Sequence, residues 1–110
     1  GEGFTWETQD KERDIAAATA AWEKAKELIR DERNQMVLLD EINIALRYGY
    51  IDLGEVMQFL ENEKPPMTHV VLTGRNAAED LIEMADLVTE MALVKHPFRS
   101  GIKAQIGVEF

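Results

Sequence analysis

The chain is predicted to fold as an α/β domain, with a mainly parallel sheet flanked by helices. Three observations lead there. Met36-Val37-Leu38-Leu39 is an unbroken apolar run closed by the acidic pair Asp40-Glu41, which is how a strand reads when helices cover both of its faces. A second run, Thr68 to Thr73, follows at a distance that leaves room for a helical crossover, as parallel pairing requires. Around these runs, apolar residues recur at spacings of three and four, the signature of amphipathic helices. Strand, helix, strand, helix, strand is the order of a parallel sheet.

The bulk properties bound the rest. With 110 residues, 45% of them hydrophobic and 30% charged, residues 1–110 suffice for a single small domain with its own core. A net charge of −9 offers no basic surface to nucleic acid or to anionic lipid. It still permits an anionic ligand, because backbone N–H groups and a bound cation can supply a local positive field. The absence of cysteine excludes disulfides, zinc–thiolate sites and thiol catalysis, and suits a cytoplasmic protein. No apolar run approaches the roughly 20 residues of a membrane helix. Because Gly1 is not an initiator methionine, the chain is expected to be part of something longer.

In chain order, residues 1–9 read as a loop or short strand in which Phe4 and Trp6 alternate onto one side. The pair suits either a core edge or an apolar wall for a flat ligand. From Asp10 to about Arg30, Ile15, Ala18, Trp22, Ala25 and Ile29 form one apolar helical stripe. After the central strand a short helix, Ile42 to Leu46, is broken at Arg47 to Tyr50. Asp52 then caps a further helix, with Glu55 completing a capping box in form and Leu53, Val56, Met57 and Leu60 facing inward. Lys64-Pro65-Pro66 stops it.

Thr68 to Thr73 is the second buried strand, and Gly74-Arg75-Asn76 is the loop at its carboxyl end. Asn76 is expected to cap a helix from Ala77 to about Ala85, directing Leu81, Ile82 and Met84-Ala85 toward the sheet. A third strand is expected around Val88 to Val94, followed by a basic turn-rich loop from Lys95 to Gly101 and a loosely alternating edge strand within Ile102 to Phe110.

Ligands of open α/β sheets collect at the carboxyl ends of the strands, where Asp40 and Glu41 fall. Two adjacent carboxylates there can hold Mg²⁺ directly or through water, since the ion takes hard oxygen ligands. The plainer alternative is that Asp40 caps the following helix and Glu41 favours its first turn. Arg75 could meet a phosphate or carboxylate with its planar donor fork, or simply be solvated. The phosphate cradle G-x-x-x-x-G-K-[ST] is missing, because none of Gly1, Gly3, Gly49, Gly54, Gly74, Gly101 and Gly107 is followed by Lys-Ser or Lys-Thr.

Five stretches together carry a resemblance: Gly1-Glu2-Gly3-Phe4-Thr5-Trp6-Glu7-Thr8, Met36 to Glu41, Val71-Leu72-Thr73-Gly74-Arg75, Val94-Lys95-His96-Pro97-Phe98, and Gly101 to Phe110. In these the chain resembles the ATP:corrinoid adenosyltransferases of the bacterial, P-loop (RecA-like) type. The resemblance implies a RecA-like P-loop fold whose N-terminal part, with the P-loop, is missing. It implies transfer of the 5′-deoxyadenosyl group of ATP to the Co(I) of a corrinoid, with release of tripolyphosphate, in adenosylcobalamin biosynthesis or salvage. Phe4 and Trp6 match the aromatic pair that displaces the lower axial ligand beneath the corrin ring, which makes cobalt easier to reduce. Glu41 matches the family's Mg²⁺-binding glutamate with Asp40 beside it, and Arg75 matches an arginine facing the nucleotide. The resemblance further implies a flavoprotein reductant such as flavodoxin, and a homodimer when full length. Without a P-loop, the chain as given is expected to be inactive. The alternative is a non-catalytic α/β module that binds a flat apolar ligand such as a corrinoid.

Overall fold

The first helix, α1 (Glu2–Arg30), is the longest element of the fold, a computed structural model that describes residues 2–95 and 108–110 and the side chains of residues 8–95, Val108 and Phe110. Alanine-rich turns give it propensity, and its stripe holds. Ala18, Trp22, Ala25 and Ile29 are all buried. The helix ends where Asn34 donates from Nδ2 to the Leu28 carbonyl at 2.9 Å, satisfying an oxygen that has no helical partner. In the turn beyond, Asp31 accepts from the Arg33 side chain and backbone, which holds its carboxyl at about 2. The start differs from expectation. The backbone is already helical at Glu2, so the alternation that would set Phe4 and Trp6 on one side of an extended segment does not apply, and their side chains lie outside the described residues.

Three parallel strands follow: β1 (Met36–Asp40), β2 (His69–Leu72) and β3 (Val108–Glu109), in the order β2-β1-β3. Met36 to Leu39 align with His69 to Leu72, and Leu39-Asp40 with Val108-Glu109. The terminal edge strand is thus present at its last residues; Ile102 to Gly107 and the loop residues His96 to Gly101 lie outside the described residues.

Expectation and structure part over burial. Val37 (5% exposed) and Leu39 (0%) face the core, whereas Met36 (63%) and Leu38 (42%) do not. The register places Val71, also exposed, on the same open side. Among the described residues the sheet is therefore covered on one face, not two. An apolar run of four marks a strand but does not say how many layers cover it.

That covered face carries the main buried cluster among the described residues. Between β1 and β2 come α2 (Ile42–Arg47) and α3 (Leu53–Asn62). Ile42, Ala45, Ile51, Val56, Phe59 and Leu60 join the α1 stripe and the inward residues of β1 in one cluster. Trp22 meets Phe59 edge-on, with ring centroids 5.3 Å apart. Asp52 caps α3 as expected, accepting from the Glu55 N–H at 2.9 Å. The capping box is only half made, because the Glu55 carboxylate accepts from Trp22 Nε1 at 3.2 Å and pairs with Lys26. Phe59, absent from the expected inner face, is among its buried residues.

After β2, the helix α4 (Glu79–Met84) begins later than expected. Asn76 does not cap it. Its own backbone is left-handed (φ 57°), and Ala78 stands at the cap position without a side-chain hydrogen bond. Of its expected inner residues Leu81 is buried and Ile82 exposed. The third strand expected at Val88 to Val94 is not formed. Residues 85–95 have no regular structure, and Val88, Met91, Leu93 and Val94 are exposed. β-Branched content favours a strand only where a neighbour offers a ladder, and Val108-Glu109 takes that place beside β1.

Candidate functional site

The strand order places the site. The chain leaves β1 for β2 on one side, while β3 lies on the other. The carboxyl end of β1 is therefore a topological switch point, where diverging connections leave a crevice open to ligands. Asp40 is the last residue of β1 and Glu41 the next.

Asp40 is gripped from both neighbouring strands. Its carbonyl accepts from the Phe110 N–H at 2.8 Å, and its carboxylate Oδ1 accepts from the Thr73 hydroxyl at 2.9 Å. Thr73 stands one residue beyond the Leu39–Leu72 pair, at the position facing Asp40 across the ladder. The same hydroxyl accepts from the Glu41 N–H at 3.0 Å. One side chain thereby fixes the carboxylate of one acid and the backbone of the other.

Glu41 is unusual in its own right. It is the N-cap of α2 yet has a left-handed backbone (φ 62°, ψ 19°) and makes no capping bond. An L-residue there costs about 1–2 kcal/mol. The plainer sequence reading, with Asp40 as cap, does not hold, since Asp40 is bound to Thr73 instead. The Glu41 carboxylate is exposed, and among the described residues no hydrogen bond or ion pair engages it.

The loop after β2 is drawn onto this turn. Asn43 donates its backbone N–H to the Thr73 carbonyl at 3.2 Å and its Nδ2 to the Gly74 carbonyl at 3.0 Å. That second bond fixes the amide's orientation and leaves Oδ1, fully buried, without a partner. Such an orphaned acceptor costs about 1–3 kcal/mol. Gly74 has φ +123°, and a Cβ there would sit 3.0 Å from Asn43 Cβ and 3.5 Å from Glu41 Cα. The approach needs glycine. Arg75 follows directly, exposed, in the same loop.

The structure thus brings Asp40, Glu41 and the Arg75-bearing loop to one sheet edge. The side chains of Phe4 and Trp6 lie outside the described residues. Thr73 and Asn43 were not picked out from sequence. Asn43 left a trace, as a polar residue inside the apolar run Ile42 to Leu46. Thr73 left none, because its role depends on strand register.

Chemically, the donor set is hard oxygen from two carboxylates. Asp40 has spent one of about four lone-pair sites on Thr73. Among the described residues no group of three or more potential ligand side chains gathers. The pair fits a cation such as Mg²⁺, which keeps several waters or ligand oxygens, and does not form an all-protein cage.

Comparison with known proteins identifies the family. A corrinoid adenosyltransferase of Sinorhizobium sp is 82% identical over 110 residues, all of this chain and 51% of that protein. One from Pseudomonas aeruginosa is 58% identical over 110 residues and 54% of its length. One from Escherichia coli (strain K12) is 46% identical over 108 residues, 98% of this chain and 55% of the relative. The chain spans about half the length of the curated relatives it matches. The profile of the family described as ATP:corrinoid adenosyltransferase BtuR/CobO/CobP matches residues 1–110, and the chain belongs to that family.

Proposed function

We propose that this chain carries the cation-binding and corrin-facing part of an enzyme that transfers the 5′-deoxyadenosyl group of ATP to the Co(I) of a corrinoid, releasing tripolyphosphate. The observation that supports it best is the acidic pair at the switch point of a family member, with the Arg75 loop bonded against it. The reaction is attack by the substrate's cobalt on the ribose C5′, so no side-chain nucleophile or base is required. The protein's work is orientation and charge neutralisation. Asp40 and Glu41 would hold Mg²⁺, and the ion would supply neutralisation of phosphate charge there. Arg75 meets the nucleotide as a planar donor fork. Phe4 and Trp6 occupy the lower axial face of the corrin ring without offering a ligand atom, which eases reduction by a flavoprotein.

A Glu41→Ala variant is expected to need about 10- to 100-fold more Mg²⁺ for adenosyl transfer. Unchanged magnesium dependence would remove Glu41 from the ligand set. Phe4→Ala and Trp6→Ala should lower activity from Co(II) more than from chemically generated Co(I), and equal losses would count against the axial role. A second reading takes residues 1–110 as a binding module. In that reading the 110 residues form an α/β module that binds the flat corrinoid without transferring to it. Corrinoid binding without product, followed by visible absorbance, would support it.

A further inference from the structure

The residues that join the two loops of the site are Thr73 and Asn43. Four hydrogen bonds make the joint: Thr73 Oγ1 to Asp40 Oδ1, Glu41 N–H to Thr73 Oγ1, Asn43 N–H to the Thr73 carbonyl, and Asn43 Nδ2 to the Gly74 carbonyl. The Thr73 hydroxyl is central because it donates to one acid and accepts from the backbone of the next. It selects the direction of the Asp40 carboxylate. By binding the N–H of left-handed Glu41, it also holds the backbone turn from which the Glu41 side chain departs.

Asn43 points the same way for a different reason. Its side chain is buried, and its Oδ1 is sealed without a donor. A residue retained only for packing would not bury an unpaired oxygen. Its one side-chain bond goes to the Gly74 carbonyl, in the loop that leads to Arg75. That bond ties the loop to the turn.

We propose that Thr73 and Asn43 are positioning residues: a clamp that sets the Asp40 carboxylate, the Glu41 backbone and the loop leading to Arg75 in one arrangement before a divalent cation arrives. Preset ligands bind without the entropy of ordering them. The inference rests on the reading of Asp40 and Glu41 as cation ligands.

The test uses Mn²⁺ alone as probe for the site, added to the isotope-labelled chain. The readout is paramagnetic broadening of the backbone amide signals of Asp40, Glu41 and Gly74, read against those of α3. Thr73→Val keeps the shape and removes the hydroxyl; it should raise the Mn²⁺ needed for half-broadening about tenfold, while Thr73→Ser stays within about twofold of the parent. Asn43→Ala should raise it about threefold or more with the thermal midpoint almost unchanged, which a merely structural residue would not do. A folded Thr73→Val that half-broadens at the parent's Mn²⁺ concentration overturns the clamp. Should Thr73→Val not fold, an Asn43→Ala variant that half-broadens at the parent's Mn²⁺ concentration overturns it instead. The double variant Asp40→Asn, Glu41→Gln separates the two ideas. If it broadens as the parent does, the carboxylates are not the ligands and both readings fall. If it loses the effect while Thr73→Val and Asn43→Ala keep it, only the clamp falls.

Discussion

Trp22→Ala is expected to destabilise the chain by about 3–5 kcal/mol, the cost of deleting a large buried aromatic and leaving a cavity. Trp22 is 2% exposed and sits where α1 meets α3. Its ring edge-packs on Phe59, its Nε1–H donates to Glu55, and the Lys26 ammonium lies 5.7 Å from the ring centroid. Alanine leaves those partners facing a void. A domain of this size has about 5–15 kcal/mol in all, so the loss approaches the whole. Trp22→Phe keeps most of the ring contact, forfeits the hydrogen bond, and should cost about 1–2 kcal/mol. Urea unfolding followed by far-ultraviolet circular dichroism measures both. An unfolding free energy for Trp22→Ala within about 1 kcal/mol of the parent's, about the error of such extrapolations, would mean that α1 and α3 are held together by something else.

Gly74→Val should have the second-largest effect and strike the site directly. At φ +123° the position suits glycine, and a Cβ would be 3.0 Å from Asn43 Cβ and 3.4 Å from its backbone nitrogen. Backbone strain and overpacking together predict a loss of about 2–4 kcal/mol, relieved by the loop lifting off the acidic turn. Gly49→Ala is the control. Gly49 also has positive φ (+73°), but nothing lies within 4 Å of its Cβ position, so it reports strain alone, about 1 kcal/mol. Equal losses at the two positions would show that the close approach at Gly74 carries no energy. Amide exchange at Glu41 and Asn43 tells whether the loop has lifted, since both N–H groups bond to Thr73.

What was legible in the sequence was local. The α1 stripe from Ala18 to Ile29, the strand at Met36, the cap at Asp52 and the acidic pair each show within one or two turns of chain. What was not legible depends on partners distant in sequence. The apolar run at Val88 to Val94 reads as a strand, yet Val108-Glu109 takes the place beside β1. The run at Met36 says strand and leaves open how many faces are covered. Glu55 looks like a capping-box acid until Trp22 and Lys26 arrive from a different helix. Of the candidate site, the placement of Asp40, Glu41 and Arg75 at the carboxyl edge of the sheet was readable, whereas Thr73 became visible only through the register that puts it opposite Asp40.

The left-handed backbone at Glu41 has a bearing on directed evolution. Glycine would occupy that conformation without penalty, so a library screened for heat tolerance should enrich glycine at this codon. A library screened for turnover should retain glutamate, whose carboxylate glycine cannot replace. On the proposed reading of Glu41 as a cation ligand, position 41 is thus one where the fittest sequence depends on the question the screen asks, and a variant set ranked by melting temperature would discard a carboxylate that a screen for cation binding would keep.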